Sequence, residues 1–222
     1  MLNKKILLLE GGYNEEHEVS IITAKEVKKA LSNLGYNFQS LLVNPKDFKD
    51  KIKSYQDFDI CFNALHGTYG EDGTIQKILL ENNLKFTHSG VEASKKSFNK
   101  NLTKKCISKT NVNYLSSLEI YKKDLVKKNF LNYFDKFGSF VLKPSSSGSS
   151  FGVKILKNIR EIDLFFLNIE NERKIYKNHD SFLLEPYIKG KELTVAVYEE
   201  EGISKSIDVT EIKSNNFFYD YK

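Results

Sequence analysis

Proline and cysteine are scarce in this 222-residue chain: 3 prolines and 2 cysteines, beside 12 glycines. So little proline and glycine excludes a linker-rich or low-complexity chain. The ordinary balance of 40% apolar and 28% charged residues excludes wholesale disorder and a collagen-like repeat. Two cysteines exclude a disulfide scaffold. Cys61 and Cys106 are also too few and too isolated for a metal cluster, so they read as free core thiols in a reducing compartment. No apolar run approaches the roughly 18 residues a membrane-spanning helix needs. Residues 6–9 are too short for a signal-peptide core and no small-residue cleavage site follows. These absences point to a cytoplasmic protein with no membrane partner. Concentrated charge is lacking too. The net charge is +5, with lysines spread along the chain rather than gathered on one face, which argues against a nucleic-acid partner. An anionic small ligand would need only a few of them. At roughly 100–200 residues per domain, the length fits one large or two small domains.

What is present first is an alternation of strands and helices. Residues 5–10 (KILLLE) form a short apolar run ending at Gly11-Gly12, the pattern of a buried strand and a turn. Val19, Ile22, Val27, Ala30, Leu31 and Leu34 then fall at helical spacing, with Gly35 as a C-terminal stop. Residues 38–43 and 58–65 read as further strands, with a helix over 46–53 between them and another over 74–82 after them. Phe86-Thr87 reads as a short fourth strand. This order implies a parallel sheet covered by helices on both sides. The pattern changes near Gly90. Residues 91–109 look helical and polar, and 140–143, 153–156, 181–185, 192–198 and 203–209 look like strands, with a helix over 159–168. Strands in tandem predict an antiparallel sheet, so the second half reads as α+β, with the boundary near residue 95.

Chemistry concentrates in four segments. Residues 141–153 (VLKPSSSGSSFGV) run from a strand ending in Lys143 through a loop of serines and glycines into another strand. Small residues let successive backbone N–H groups approach an anion, serine hydroxyls add donors, and the lysine adds a point charge for phosphate oxygens. A Walker loop is absent, since no GKS or GKT follows. Taken alone, the segment fits a phosphate cradle or a serine-rich hairpin. Residues 183–188 (LLEPYI) end a strand in Glu185, and Glu192 opens the next. These two carboxylates could accept from a base amino group and from ribose hydroxyls, or could be a solvated sheet edge. Residues 11–20 (GGYNEEHEVS) and 64–73 (ALHGTYGEDG) both follow strands, where open α/β sheets bind their ligands, and His66 is placed to meet one. The dinucleotide spacing G-x-G-x-x-G is missing, and the other histidines, His17, His88 and His179, lack metal-ligand spacing.

Together the segments at 11–20, 64–76, 87–94 (THSGVEAS), 141–153, 183–197 and 218–221 (FYDY) resemble the D-alanine–D-alanine ligase family of ATP-grasp enzymes, in order and in spacing. The resemblance implies an α/β fold: a Rossmann-like parallel-sheet N-terminal domain over residues 1–95, then an α+β ATP-grasp domain over 96–222, incomplete at its C-terminus. It implies a ligase of peptidoglycan synthesis. One D-alanine carboxylate attacks the γ-phosphate of ATP to give an acyl phosphate, and the amine of a second D-alanine displaces phosphate. Carried over by position, Glu16 would hold the ammonium of the first D-alanine, Ser149 would lie near that acid, and His66 would lie close to the same substrate. Glu16 and Ser149 are thereby the catalytic candidates. Lys100 and Lys143 would contact ATP phosphates, Glu185 the adenine and Glu192 the ribose. The loop over 145–152, with Ser145, Gly148, Ser149 and Ser150, would close over phosphate. The resemblance also implies a homodimer through the N-terminal domain, and Mg2+ or Mn2+ bound by residues this sequence does not contain. On that reading the chain is C-terminally truncated and inactive by itself. The alternatives are another ATP-grasp carboxylate–amine ligase, or a non-catalytic remnant that binds nucleotide or a D-amino acid.

Overall fold

The computed structural model describes residues 4–213, so the 218–221 segment lies outside the described residues. The chain divides by packing into two compact units. One runs through Tyr114 and takes in Ser145–Gly148; the other comprises Leu115–Pro144 and the residues from Ser149 on. The sequence pattern changes near residue 95, and the helices between there and Tyr114 pack with the first unit.

In the first unit, β1 (Lys5–Gly11) lies between β2 (Asn37–Val43) and β3 (Ile60–Asn63), all parallel. Its side chains alternate as a strand requires. Leu7 and Leu9 join Leu41, Val43, Phe48, Ile52, Ile75 and Leu79 in one core cluster. Leu8 packs the other way, with Ala24 of α1 (His17–Asn33) and Ala64. Helices therefore cover both faces, as a near-continuous apolar central strand demands. α2 (Phe48–Lys51) continues into a 3-10 turn (Ile52–Tyr55), and α3 (Thr74–Glu81) follows β3. The expected fourth strand is reduced to a single parallel bridge between Cys61 and Phe86.

The polar helix expected over 91–109 is two helices, α4 (Val91–Phe98) and α5 (Lys100–Ile107). Asn99 between them is extended (φ −91°, ψ 111°), and its side chain accepts a hydrogen bond from the backbone N–H of Leu102. Asparagine competes with helical backbone in this way and starts a new helix instead of continuing the old one. Cys61 is buried, as expected, but Cys106 is exposed on α5, so only one of the two thiols belongs to a core.

The second unit holds β4 (Leu118–Tyr121), α6 (Lys127–Phe137), β5 (Phe140–Pro144), β6 (Lys154–Leu156), α7 (Ile159–Leu167), α8 (Ile169–Ile175) and β7 (Ser181–Pro186). Its sheet has the order β4-β7-β5-β6 and is antiparallel throughout. Phe140, Leu142, Phe182 and Leu184 point to one face and pack with Phe130, Tyr133, Ile162 and Phe165 of α6 and α7. Phe130 is the hub, stacked on Phe165 at 5.4 Å and edge-on to Phe140 and Phe166. By alternation, Lys143 and Glu185 occupy the opposite face. β8 (Glu192–Glu200) and β9 (Ile203–Ile212) pair with each other as a separate antiparallel hairpin.

Candidate active site

The first unit's candidate residues come together at the carboxyl ends of β1 and β3. Glu16 sits at the cap of α1 and is only 1% exposed. Two backbones wall in its carboxylate. A Cβ on Gly67 would stand 2.6 Å from Glu16 Oε2, and one on Gly148 would stand 2.8 Å away. Both contacts are shorter than any side chain tolerates, and Gly67 has φ +70° besides. The glycines of these loops are thus needed for the approach of backbone to a buried acid.

Asn14 ties the two loops together. Its amide donates to the carbonyls of His66 and Thr68 at 2.8 and 2.7 Å, and its Oδ1 accepts from the Glu16 N–H at 2.8 Å. Asn63 and Gln76 both donate to the Gly70 carbonyl, and Asp72 accepts from the N–H groups of Tyr69 and Thr74. His66 lies between partners: Nε2 is 2.8 Å from Thr23 Oγ1 and Nδ1 is 3.7 Å from Glu71 Oε1. The pull of the Glu71 carboxylate raises the His66 pKa above its ordinary value. Burial works against this, and the negative charge of Glu16 adds to it.

The beginning of the serine loop belongs to the same unit. The Lys100 N–H donates to the Ser145 carbonyl at 2.9 Å, Lys100 Nζ donates to the Ser147 carbonyl at 2.8 Å, and the Asn99 amide donates to Ser146 Oγ. Ser145 is 1% exposed, and its hydroxyl has no hydrogen-bond partner among the described residues. A cavity of about 560 Å3 is lined by His66, Glu71, Lys100, Ser147 and Gly148 among others. Glu16 is not part of that lining, but its carboxylate abuts the Gly148 position, which is. The first unit thus sets a buried anion, Glu16, and a cation, Lys100 of α5, each against the same small-residue loop.

In the second unit, Lys143 on β5 and Glu185 on β7 form an ion pair of 2.5 Å, with Glu185 buried. Their common face, free of the aromatic core, brings together the two residues expected at phosphate and adenine. Ser149 and Ser150 take φ +46° and +57°, followed by Gly152 at +70°. Glu192 opens β8 opposite Ile212, on the hairpin and not on the four-stranded sheet. Among the described residues no group of three or more His, Cys, Asp or Glu side chains could hold a metal ion.

Asn14, Thr23 and Glu71 escape a reading of motifs. The signals for two of them are nonetheless local. Asn14 stands two residues before Glu16, the spacing of an Asx turn. Thr23 follows Glu16 by two helical turns, on the same face as Ser20.

Comparison with known proteins decides the family. Residues 109–222 match the model described as the D-ala D-ala ligase C-terminus, just over half of the chain. The chain belongs to the D-alanine–D-alanine ligase family. It is similar to the D-alanine–D-alanine ligase of Zymomonas mobilis, 39% identical over 99% of this chain and 64% of that protein. To the corresponding Rickettsia canadensis ligase it is 36% identical over 99% of this chain and 57% of that one. The chain therefore spans somewhat less than two thirds of these relatives. Among solved structures, the Bacillus anthracis D-alanine–D-alanine ligase complexed with ATP superposes with a TM-score of 0.74 at 28% identity, covering 97% of this chain and 68% of that one. The D-alanyl-alanine synthetase A of Vibrio cholerae gives 0.78 at 23% identity, over 100% and 70%, and shows the shared fold. The family fold is the mixed α/β arrangement expected, a parallel sheet followed by antiparallel ones. Among the described residues no helix is long and apolar enough to cross a membrane.

Proposed function

We propose that this chain carries the first amino-acid site and part of the nucleotide site of an ATP-dependent ligase joining two D-alanines through an acyl phosphate. The observation that carries this reading is Glu16, a buried carboxylate held against the Gly67 and Gly148 backbones, whose charge is felt at His66. A buried carboxylate favours positive charge beside it, and the ammonium of an amino acid is a cation of the right size. His66, its positive form favoured by Glu71, is suited to the carboxylate of the same substrate.

Lys100 and Lys143 supply positive charge for phosphate oxygens, and the serines from Ser145 to Ser150 supply hydroxyl and N–H donors. The ion pair between Lys143 and Glu185 keeps both side chains in place until nucleotide separates them, Lys143 toward phosphate and Glu185 toward the adenine amino group. Phosphoryl transfer asks mainly for such positioning and neutralisation of charge. Glu192 as the ribose acceptor and Ser149 as a partner of the first-substrate acid follow from the family pattern. A D-alanine–D-lactate ligase would use the same residues for its first substrate.

Thermal shift on the 222-residue chain tests the reading, because any ligand that binds the folded state alone raises Tm. D-Alanine and ATP are each expected to raise Tm, with L-alanine weaker than D-alanine. Lys143→Met is expected to reduce the ATP shift and leave the D-alanine shift. No shift with either ligand, or an ATP shift indifferent to Lys143→Met, would contradict the assignment.

A further inference from the structure

Glu16, Ser20 and Thr23 fall at i, i+4 and i+7 along α1, so one face of that helix meets the loops that follow β1 and β3. Glu16 is the buried acid and Ser20 bridges the two strand ends. The third member touches His66: Thr23 Oγ1 is 2.8 Å from Nε2, in a half-buried position. The other ring nitrogen faces Glu71, whose second oxygen is anchored by the Gly67 N–H at 3.0 Å. At 3.7 Å the carboxylate lies beyond direct hydrogen-bond reach, so its charge favours a proton on Nδ1 without fixing one there. The state of Nε2 is then left to Thr23. In the neutral ring the threonine hydroxyl donates to the Nε2 lone pair. In the imidazolium Nε2–H donates to the threonine oxygen. A hydroxyl is both donor and acceptor and serves both states by rotating; a valine methyl in the same volume serves neither.

We propose that Thr23 is a positioning residue for His66, holding Nε2 in either protonation state and thereby fixing the ring and its Nδ1–H tautomer beside the amino-acid site. The charged and titratable groups around His66 are Glu71 on its own loop, Glu16 at the start of α1, and Lys100 and His88, which line the same cavity. Thr23 is the group placed on Nε2. The inference rests on the proposed function only for the identity of the substrate, since the tautomer is a property of the free protein.

The test is a pH titration of the chain with 15N-labelled histidine, read by long-range 1H–15N NMR, in wild type, Thr23→Val and Thr23→Ser. Wild type is expected to show one neutral His66 tautomer, protonated at Nδ1. Thr23→Val is expected to populate the other tautomer and to lower the His66 titration midpoint, because the charged ring loses an acceptor. Thr23→Ser is expected to restore both. Affinity for D-alanine should fall about threefold to tenfold in Thr23→Val, the scale of one hydrogen bond, and recover in Thr23→Ser. A Thr23→Val spectrum with wild-type tautomer and midpoint would overturn the proposal, as would a wild-type His66 protonated at Nε2 when neutral. Should Thr23→Val fail to fold, Thr23→Ala carries the same comparison. Failure of D-alanine binding in wild type would count against the functional reading and leave the tautomer result to stand or fall by itself.

Discussion

Ser20 is fully buried, and its hydroxyl is used in both directions: it accepts from the Gly11 N–H and donates to the Ala64 carbonyl, each at 2.8 Å. It holds the ends of β1 and β3 against α1, beneath the site. Ser20→Ala strips both backbone groups of their partner in a dry environment, so unfolding in urea should show a loss of about 1–3 kcal/mol. An unchanged midpoint would mean that water or a rearranged loop satisfies them. Glu71→Gln gives a second test at this scale, with its own sign. The folded pKa of His66 is raised, so the stabilisation is fully present below the unfolded value of 6.5 and is lost as pH rises through the folded one. The stability gap between wild type and Glu71→Gln should therefore be widest on the acid side of neutrality and shrink in alkaline solution. A gap that widened with pH would contradict the pairing.

Among the elements, β1 and the β8–β9 hairpin stand at opposite extremes. β1 has strands on both sides and helices on both faces. The hairpin is paired only with itself, and Leu193, Val195, Val197, Ile207 and Val209 are all more than 40% exposed. Isolated two-stranded hairpins are marginal in water. Backbone amides of β8 and β9 should therefore exchange with deuterium much faster than those of β1 and β7, measured by mass spectrometry on peptides. Equal protection would show that the hairpin is covered in solution. The elements also show what the sequence made legible. Apolar runs over 5–10 and 58–65 mark β1 and β3 because burial on both faces leaves a plain signal, and the strands of the second half are marked by short runs of β-branched and aromatic residues between turns. The split at Asn99 was not, since one capping asparagine inside a polar helical stretch hardly alters its periodicity. Phe86 was overrated, because a short apolar stretch does not say how many partners it will find.

For the molecule as a whole, the site's chemistry was legible in the segments that follow strands, and the wiring was not. His66 and Gly148 stand in motifs that follow strands, Glu16 and Lys100 are assigned by the family resemblance, and the first unit holds all four. That Lys143 and Glu185 would be an ion pair needed the register of β5 against β7. That Asn14 would join two loops needed a contact more than 50 residues apart in sequence. The central claim is that Glu16, at the heart of this gathering, answers the ammonium of an amino-acid substrate. Isothermal titration of the chain with D-alanine, in wild type and in Glu16→Gln, tests it most directly. The substitution keeps the side chain's shape and removes its charge, and an equal Tm would show that the fold is kept. Wild type should bind D-alanine, and Glu16→Gln should bind it at least about tenfold more weakly, as expected when a buried charge pair is broken. Equal affinity in the two proteins would contradict the account.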